Sequence, residues 1–437
     1  LSLIFSDLET LILCAKTRAA AIGSFTRARR PVIVNYVSRL YIYKNSREIE
    51  TMGGMSRRAL LGATAFTAAT THIRFARAED PIKLGASLSL TGRFSDSAKY
   101  AQEGYQLWEE QTNASGGING RPVSLSIQDD TSSPDTGRVL VQRLIDRDGV
   151  IAILGPYSSP ITDAEAVVVE RAEVPLLGTI ASDSSIWTRR KLHWSFQAFP
   201  SSDYDHQGFL EIIKAKGGVK KLGIVFEQSP FSIASKDFAE KMARDMGLTV
   251  ESYGYTPGAQ DFRSIIERMV SFEAEAVSMG GYYEPSIALT RQMMERGFNP
   301  LAYHFILSAD GVTKDALGAN VEGIFGRSAW EVTLERANSK AFVAAYQAKF
   351  NRLPAYHSAA AYSAGQVIAA AIKAKGVDRA AIRDYIASTE VETVLGKFKV
   401  NETGQQTGYK YVATQWQKGV SRVVDANSAE WPKPKWS

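Results

Sequence analysis

Four consecutive apolar residues, Ile151-Ala152-Ile153-Leu154, run into Gly155-Pro156-Tyr157-Ser158-Ser159-Pro160, and apolar residues then recur at helical spacing from Ile161 to Val169. A strand with no polar alternation has no face to give to water, so it reads as one covered on both sides, as in a parallel sheet. Gly155-Pro156 ends it. The serines therefore fall where the strand's carboxyl end becomes a helix's amino end. Unpaired backbone N–H groups and the helix dipole favour an anion there, and serine hydroxyls add donors suited to a carboxylate. In open parallel sheets ligands bind outside the carboxyl ends of the strands. The plainer alternative is that Ser158 or Ser159 only caps the helix.

The same rhythm runs through the chain from Pro81. Strands are predicted at Ile82–Leu88, Val123–Gln128 and Val174–Leu177, with helices over Ala98–Gln111 and Thr136–Arg147. After Phe199-Pro200-Ser201-Ser202-Asp203 it resumes, with strands at Leu222–Phe226, Thr249–Tyr253, Ala276–Met279 and Tyr303–Ser308. Helices are predicted between them at Ile233–Met246, Phe262–Val270 and Ile287–Glu295. Strands alternating with helices of this length form crossover units, hence an α/β fold with two doubly wound parallel sheets in succession. Two further helices, Lys340–Phe350 and Ser358–Lys373, precede an alternating tail, Phe398–Trp416, read as short antiparallel strands.

The chain of 437 residues carries 51 Lys+Arg against 46 Asp+Glu, a net +5. That balance would suggest a nucleic-acid partner if it were spread evenly. Residues 1–78 hold 12 of the basic and 4 of the acidic residues, which leaves 39 and 42 for the body. The body is thus slightly acidic, with no electrostatic case for nucleic acid. The basic part has its own logic. Met55-Ser56-Arg57-Arg58 precedes a mildly apolar run, Ala59–Ala69, and Ala76-Arg77-Ala78 offers small residues for cleavage before Glu79. This is the pattern of a secretory signal over 55–78, similar to a twin-arginine signal with Leu60 where Phe is common. Residues 1–54 fit no part of that pattern and are read as a mis-assigned upstream extension with Met55 the true start, a genuine N-terminal extension being the alternative. The single cysteine, Cys14, lies in this leader, so the body has no disulfide and no thiolate site.

The strand-to-helix turns divide by chemistry. Ser158-Ser159 and Ala181-Ser182 offer hydroxyls and helix amino ends; Phe231, Tyr282-Tyr283 and Asp310 offer rings and a carboxylate. The first set suits a carboxylate and the second an ammonium group with an apolar side chain, which together describe an amino-acid site. Against this, Tyr282 and Tyr283 could simply pack across the sheet, and Asp310 could cap the turn at Gly311. The five histidines, His72, His193, His206, His304 and His357, show no metal-ligand spacing and read as surface or satisfied core residues. No nucleophile elbow, Walker loop or dinucleotide fingerprint is present, so neither an enzyme nor a cofactor is expected.

Gly280-Gly281-Tyr282-Tyr283-Glu284, Gly155-Pro156 with Ser158-Ser159, Pro200-Ser201-Ser202-Asp203 leading to Gln207-Gly208, and Ala359-Ala360-Ala361-Tyr362 carry a resemblance. Over 81–430 the chain resembles the leucine/isoleucine/valine-binding family of periplasmic binding proteins of ABC transporters, with type I architecture. The resemblance implies two lobes joined by a three-crossing hinge near 199, 330 and 410: residues 79–199 with 331–409, and 200–330 with 410–437. It implies an exported monomer that delivers a small molecule, a branched-chain or related amino acid, to permease subunits in the inner membrane. By the same likeness Ser158, Ser159 and Ser182 take the α-carboxylate. The Ala181 carbonyl and Asp310 take the α-ammonium, with Tyr282 or Tyr283 nearby. Phe231-Ser232 stands where relatives usually have Tyr-Gly, and Ile180-Ala181-Ser182 where they have a Thr-containing loop. Those departures leave branched aliphatic, amide and aromatic side chains open. A ligand sensor of the same fold, binding an amide or an aromatic acid, is the alternative.

Overall fold

The computed structural model describes residues 80–436. The expected extension and signal segment lie outside the described residues. Among the described residues no helix is long and apolar enough to cross a membrane.

The first sheet is built from β1 (Ile82–Leu88), β2 (Val123–Asp129), β3 (Ile153–Leu154), β4 (Leu176–Gly178) and β5 (Ser195–Gln197). All its pairings are parallel, in the order β2-β1-β3-β4-β5. Helices α1 (Ser95–Ala114), α2 (Pro134–Asp146), α3 (Ser159–Ala172) and the single turn α4 (Ser185–Thr188) make the crossovers. The apolar run that opens the sequence analysis is the central strand. Only its last two residues have ladder geometry, but Ile151 N–H still donates to the Lys83 carbonyl at 3.0 Å, and the Ala152 carbonyl accepts from Gly85 N–H at 3.1 Å.

After α5 (Gln207–Lys216) the second sheet begins with β6 (Lys221–Glu227), α6 (Pro230–Asp245), β7 (Thr249–Tyr255), α7 (Arg263–Ser271) and β8 (Ala276–Gly280). It continues through α8 (Tyr283–Arg296), β9 (Ala302–Phe305), α9 (Gly311–Leu317) and β10 (Phe325–Ser328). The chain then leaves this sheet. Helices α10 (Ser339–Phe350) and α11 (Tyr356–Lys375) pack on α1 beside the first sheet, followed by α12 (Arg379–Ser388) and the hairpin β11 (Val391–Thr393), β12 (Gly396–Phe398). Finally β13 (Val412–Gln417) and β14 (Val420–Val423) return to the second sheet and add antiparallel to β10, completing the order β14-β13-β10-β9-β8-β6-β7. The doubly wound α/β architecture expected from the strand–helix rhythm is present in both sheets.

The α1–α11 contact depends on two glycines. A Cβ at Gly104 would lie 2.2 Å from the Ser358 carbonyl oxygen, and one at Gly365 2.3 Å from the Trp108 ring. Trp108 is itself buried, so the helices can approach only where one of them has no side chain. Where the chain passes between sheets, two segments run side by side. The Tyr409 hydroxyl donates to the Ala198 carbonyl at 2.6 Å, and the Tyr411 hydroxyl to the Pro200 carbonyl at 2.8 Å.

Candidate functional site

The carboxyl ends of β3, β4, β6, β8 and β9 converge on one cavity. Ser158, Ser159 and Ser182 come from the first sheet's turns, and Phe231 and Tyr282 from the second's. The β3 and β4 turns are fixed to one another by Thr179, whose hydroxyl accepts from Gly155 N–H at 2.9 Å and from the Tyr105 hydroxyl at 2.7 Å.

Ser158 is the N-cap residue of α3 by position, with extended φ and ψ, yet its side chain makes no cap bond. Its hydroxyl is buried and without a partner. The capping alternative therefore fails for Ser158. Ser159 differs: its hydroxyl oxygen accepts from the backbone N–H groups of Ser182 and Asp183, each at 3.2 Å. With both lone pairs used, the Ser159 proton is left to donate. Free helix N–H groups, one unpartnered hydroxyl and one hydroxyl proton form a donor nest suited to an oxyanion.

Ala181 is fully buried, and its carbonyl accepts from Gln197 Nε2 at 3.4 Å. Tyr282 turns inward, with a buried, unpartnered hydroxyl and its ring 4.5 Å from Phe94 and 5.7 Å from Phe231. Burial pushes its pKa upward, so the phenol stays protonated. Tyr283 turns the other way. It is the first residue of α8, its hydroxyl donates to the Val312 carbonyl at 2.5 Å, and it borders a separate surface hollow. Asp310 is buried, but it does not line the cavity. Its Oδ2 lies 3.1 Å from Nδ1 of His357, and it is His357 that forms the wall.

Sequence reasoning missed several wall residues. Tyr157, Phe199, Arg327, Tyr356 and His357 all line the cavity. From sequence His357 reads only as a surface or satisfied core histidine, and the strand that carries Arg327 is not among those predicted. Arg93 and Glu227 were also missed. The Arg93 guanidinium reaches from the loop after β1 to the carboxylate at the end of β6, with Nη2–Oε1 at 2.9 Å and Nη1–Oε2 at 3.3 Å. It also sits 4.6 Å from the ring centroids of both Phe94 and Tyr282. The space left inside is about 30 Å³ for the centres of water molecules. At roughly 10–15 Å³ per water that is room for about two. A ligand of amino-acid size therefore needs the walls to move back. No group of three or more His, Cys, Asp or Glu able to hold a metal ion occurs among the described residues.

A family model described as periplasmic binding protein matches residues 81–420. The Leu/Ile/Val-binding protein homolog 7 of Brucella suis biovar 1 is 27% identical over 378 residues, covering 81% of this chain and 94% of that protein. Among solved structures, the branched-chain amino acid transporter substrate-binding protein LivJ from Streptococcus pneumoniae, in complex with isoleucine, superposes with a TM-score of 0.72. It is 21% identical and covers 81% of this chain and 100% of its own. An ABC-transporter solute-binding protein from R. palustris in complex with benzoate also gives 0.72, at 18% identity, covering 82% of this chain and 98% of its own.

Proposed function

The chain belongs to the periplasmic binding protein family, and from that premise we propose that it is the extracytoplasmic solute-binding component of an ABC importer, holding a small carboxylate ligand in the cavity between its two sheets. The family is one of solute-binding proteins rather than enzymes, working with ABC-transporter permeases on small-molecule ligands. In this reading 79–199 with 331–409 and 200–330 with 410–437 are two lobes, and the three connecting segments are the hinge. Export follows the 55–78 signal with cleavage near Ala78, and the protein works as a monomer in the periplasm.

One observation carries the proposal: the Ser158 hydroxyl is buried at the amino end of α3 and bonded to nothing. An unsatisfied buried donor costs about 1–3 kcal/mol, a cost that a ligand oxygen would remove. In the first reading the ligand is a branched-chain amino acid, as the names of relatives suggest. Its carboxylate sits on Ser158, Ser159 and Ser182. Its ammonium faces the Ala181 carbonyl, the Tyr282 hydroxyl and the Asp310–His357 pair, and its side chain lies on Phe231. The benzoate complex of a fold neighbour supports a second reading, an acid with no ammonium group. It is favoured by the placing of Asp310 behind His357, which leaves no Asp or Glu among the described residues of the cavity wall.

The test is a thermal-shift screen of amino acids, amides and aromatic acids, followed by calorimetry on the hits. A ligand at 100 times its Kd adds about 2.7 kcal/mol of stability. Ser158→Ala should remove most of the shift. A hit whose affinity is untouched by Ser158→Ala would place the carboxylate elsewhere.

A further inference from the structure

Arg327 is an odd residue to find where it lies. It sits on β10, a strand inside the second sheet, and only 5% of its side chain is exposed. Its Nε donates to Asp205 at 2.8 Å, while Nη1 is buried and has no partner. The guanidinium is held between rings, 4.2 Å from the centroid of Tyr411 and 5.7 Å from that of Tyr356. Behind it runs a fully buried polar chain. Asp205 accepts from the Ser235 hydroxyl at 3.0 Å, Ser235 meets His206 Nε2 at 3.0 Å, and His206 Nδ1 meets Ser278 Oγ at 2.7 Å. A core that holds such a chain forgoes apolar packing to fix one guanidinium in place.

Two buried pairs flank the cavity, and in both the carboxylate is the member set back from the wall. Arg327 lines the wall while Asp205 lies behind it, and His357 lines the wall while Asp310 lies behind it. The guanidinium of the first pair turns donors inward. The amino end of α3 does the same from the opposite sheet. A zwitterion's ammonium would meet a guanidinium, a helix amino end and no wall carboxylate, whereas a plain carboxylate would meet donors at both of those poles.

We infer that Arg327, through its unpartnered Nη1, is a ligand-contacting and specificity-determining residue, and that the ligand is a carboxylic acid without an ammonium group, either a 2-oxo acid or an aromatic acid. This rests on the cavity being the solute site proposed above.

The experiment uses the mature chain and calorimetry with three probes: leucine, 4-methyl-2-oxopentanoate and benzoate. The first two share a carbon skeleton and differ only at C2. One of the two acids should bind at least about tenfold more tightly than leucine. Which of them does so separates the 2-oxo from the aromatic class. The double variant Asp205→Asn/Arg327→Met removes the pair together and avoids stranding a buried carboxylate. It should weaken the preferred acid at least about tenfold, as an anion losing a charged donor. Leucine binding more tightly than both acids, and still sensitive to Ser158→Ala, would overturn this inference and leave the solute site standing. An acid preference that survives the double variant would overturn the role of Arg327 alone. Failure of all three probes to bind would overturn both readings.

Discussion

Replacing Arg93 with Met tests how far the Arg93–Glu227 ion pair holds the two sheets together across the cavity. Glu227 is fully buried, and the Arg93 side chain is 30% exposed. The pair is bidentate, the stronger of the arrangements open to these groups. Hydrogen bonds to charged groups contribute about 1.5–3 kcal/mol, and stranding a buried partner costs about 3–5 kcal/mol. Water can reach the Arg93 side of the pair, so the lower part of the combined range applies, about 2–3 kcal/mol. Methionine keeps an aliphatic stem, and the change also removes the guanidinium's contact with the Phe94 and Tyr282 rings. If the open form predominates without ligand, all of that energy appears in the apparent affinity. Kd should then rise about 30- to 150-fold, mostly through faster dissociation. Stopped-flow tryptophan fluorescence gives the two rates, and calorimetry checks their ratio. If the three connecting segments act as a hinge that closes on ligand, small-angle scattering should show a smaller radius of gyration at saturating ligand for parent and variant alike, the variant needing more ligand to reach it. A Kd within about threefold of the parent would refute the reasoning, because a change of that size is under 1 kcal/mol.

Ser158→Ala should weaken ligand binding by about 1.5–3 kcal/mol and leave the melting temperature of the unliganded protein unchanged, since the hydroxyl caps nothing; a drop in that melting temperature without loss of affinity would identify a structural serine. Gly365→Ala should destabilise the fold by about 1–3 kcal/mol through its clash with Trp108, seen as a lower midpoint in urea. Acid should destabilise the second sheet's core. Burial lowers the His206 pKa from 6.5 to about 3, so between those values the unfolded chain binds the extra proton. Stability then falls with decreasing pH by up to about 1.4 kcal/mol per pH unit for that residue. Urea titrations from pH 7 to pH 4 should show this fall, and His206→Asn should flatten it.

Much of the site is local in the sequence. A buried strand that breaks at Gly-Pro and restarts as a helix at Ser158-Ser159 reveals its own carboxyl end, as does Met279-Gly280-Gly281-Tyr282. What cannot be read is which of two adjacent side chains enters the cavity. Tyr282 and Tyr283 have the same chemistry, and only the direction in which α8 leaves β8 sends one in and the other out. Arg327 was hidden for a different reason. A cation in the four-residue segment Phe325-Gly326-Arg327-Ser328 breaks the apolar pattern that identifies a central strand, and its neutralising partner is 122 positions away. Asp310 was visible as a carboxylate at a strand end. His357, which stands between it and the cavity, comes from a helix packed on the other sheet and is placed there by the return of the chain after β10.

That return also governs the order in which a newly made chain can become a protein. β10 lies between β9 and β13, yet the residues from 329 to 411 intervene before β13 is available. The first sheet waits as well, because α1 has no cover until α10 and α11 have been made. A nascent chain released as far as residue 405 would have all five strands of one sheet and a bare edge at β10 in the other. Unpaired edges of this kind recruit strands from other molecules, and long sequence separation slows their closure. The second sheet cannot be finished until β13 has been made, so the window for capture by a chaperone stays open until then.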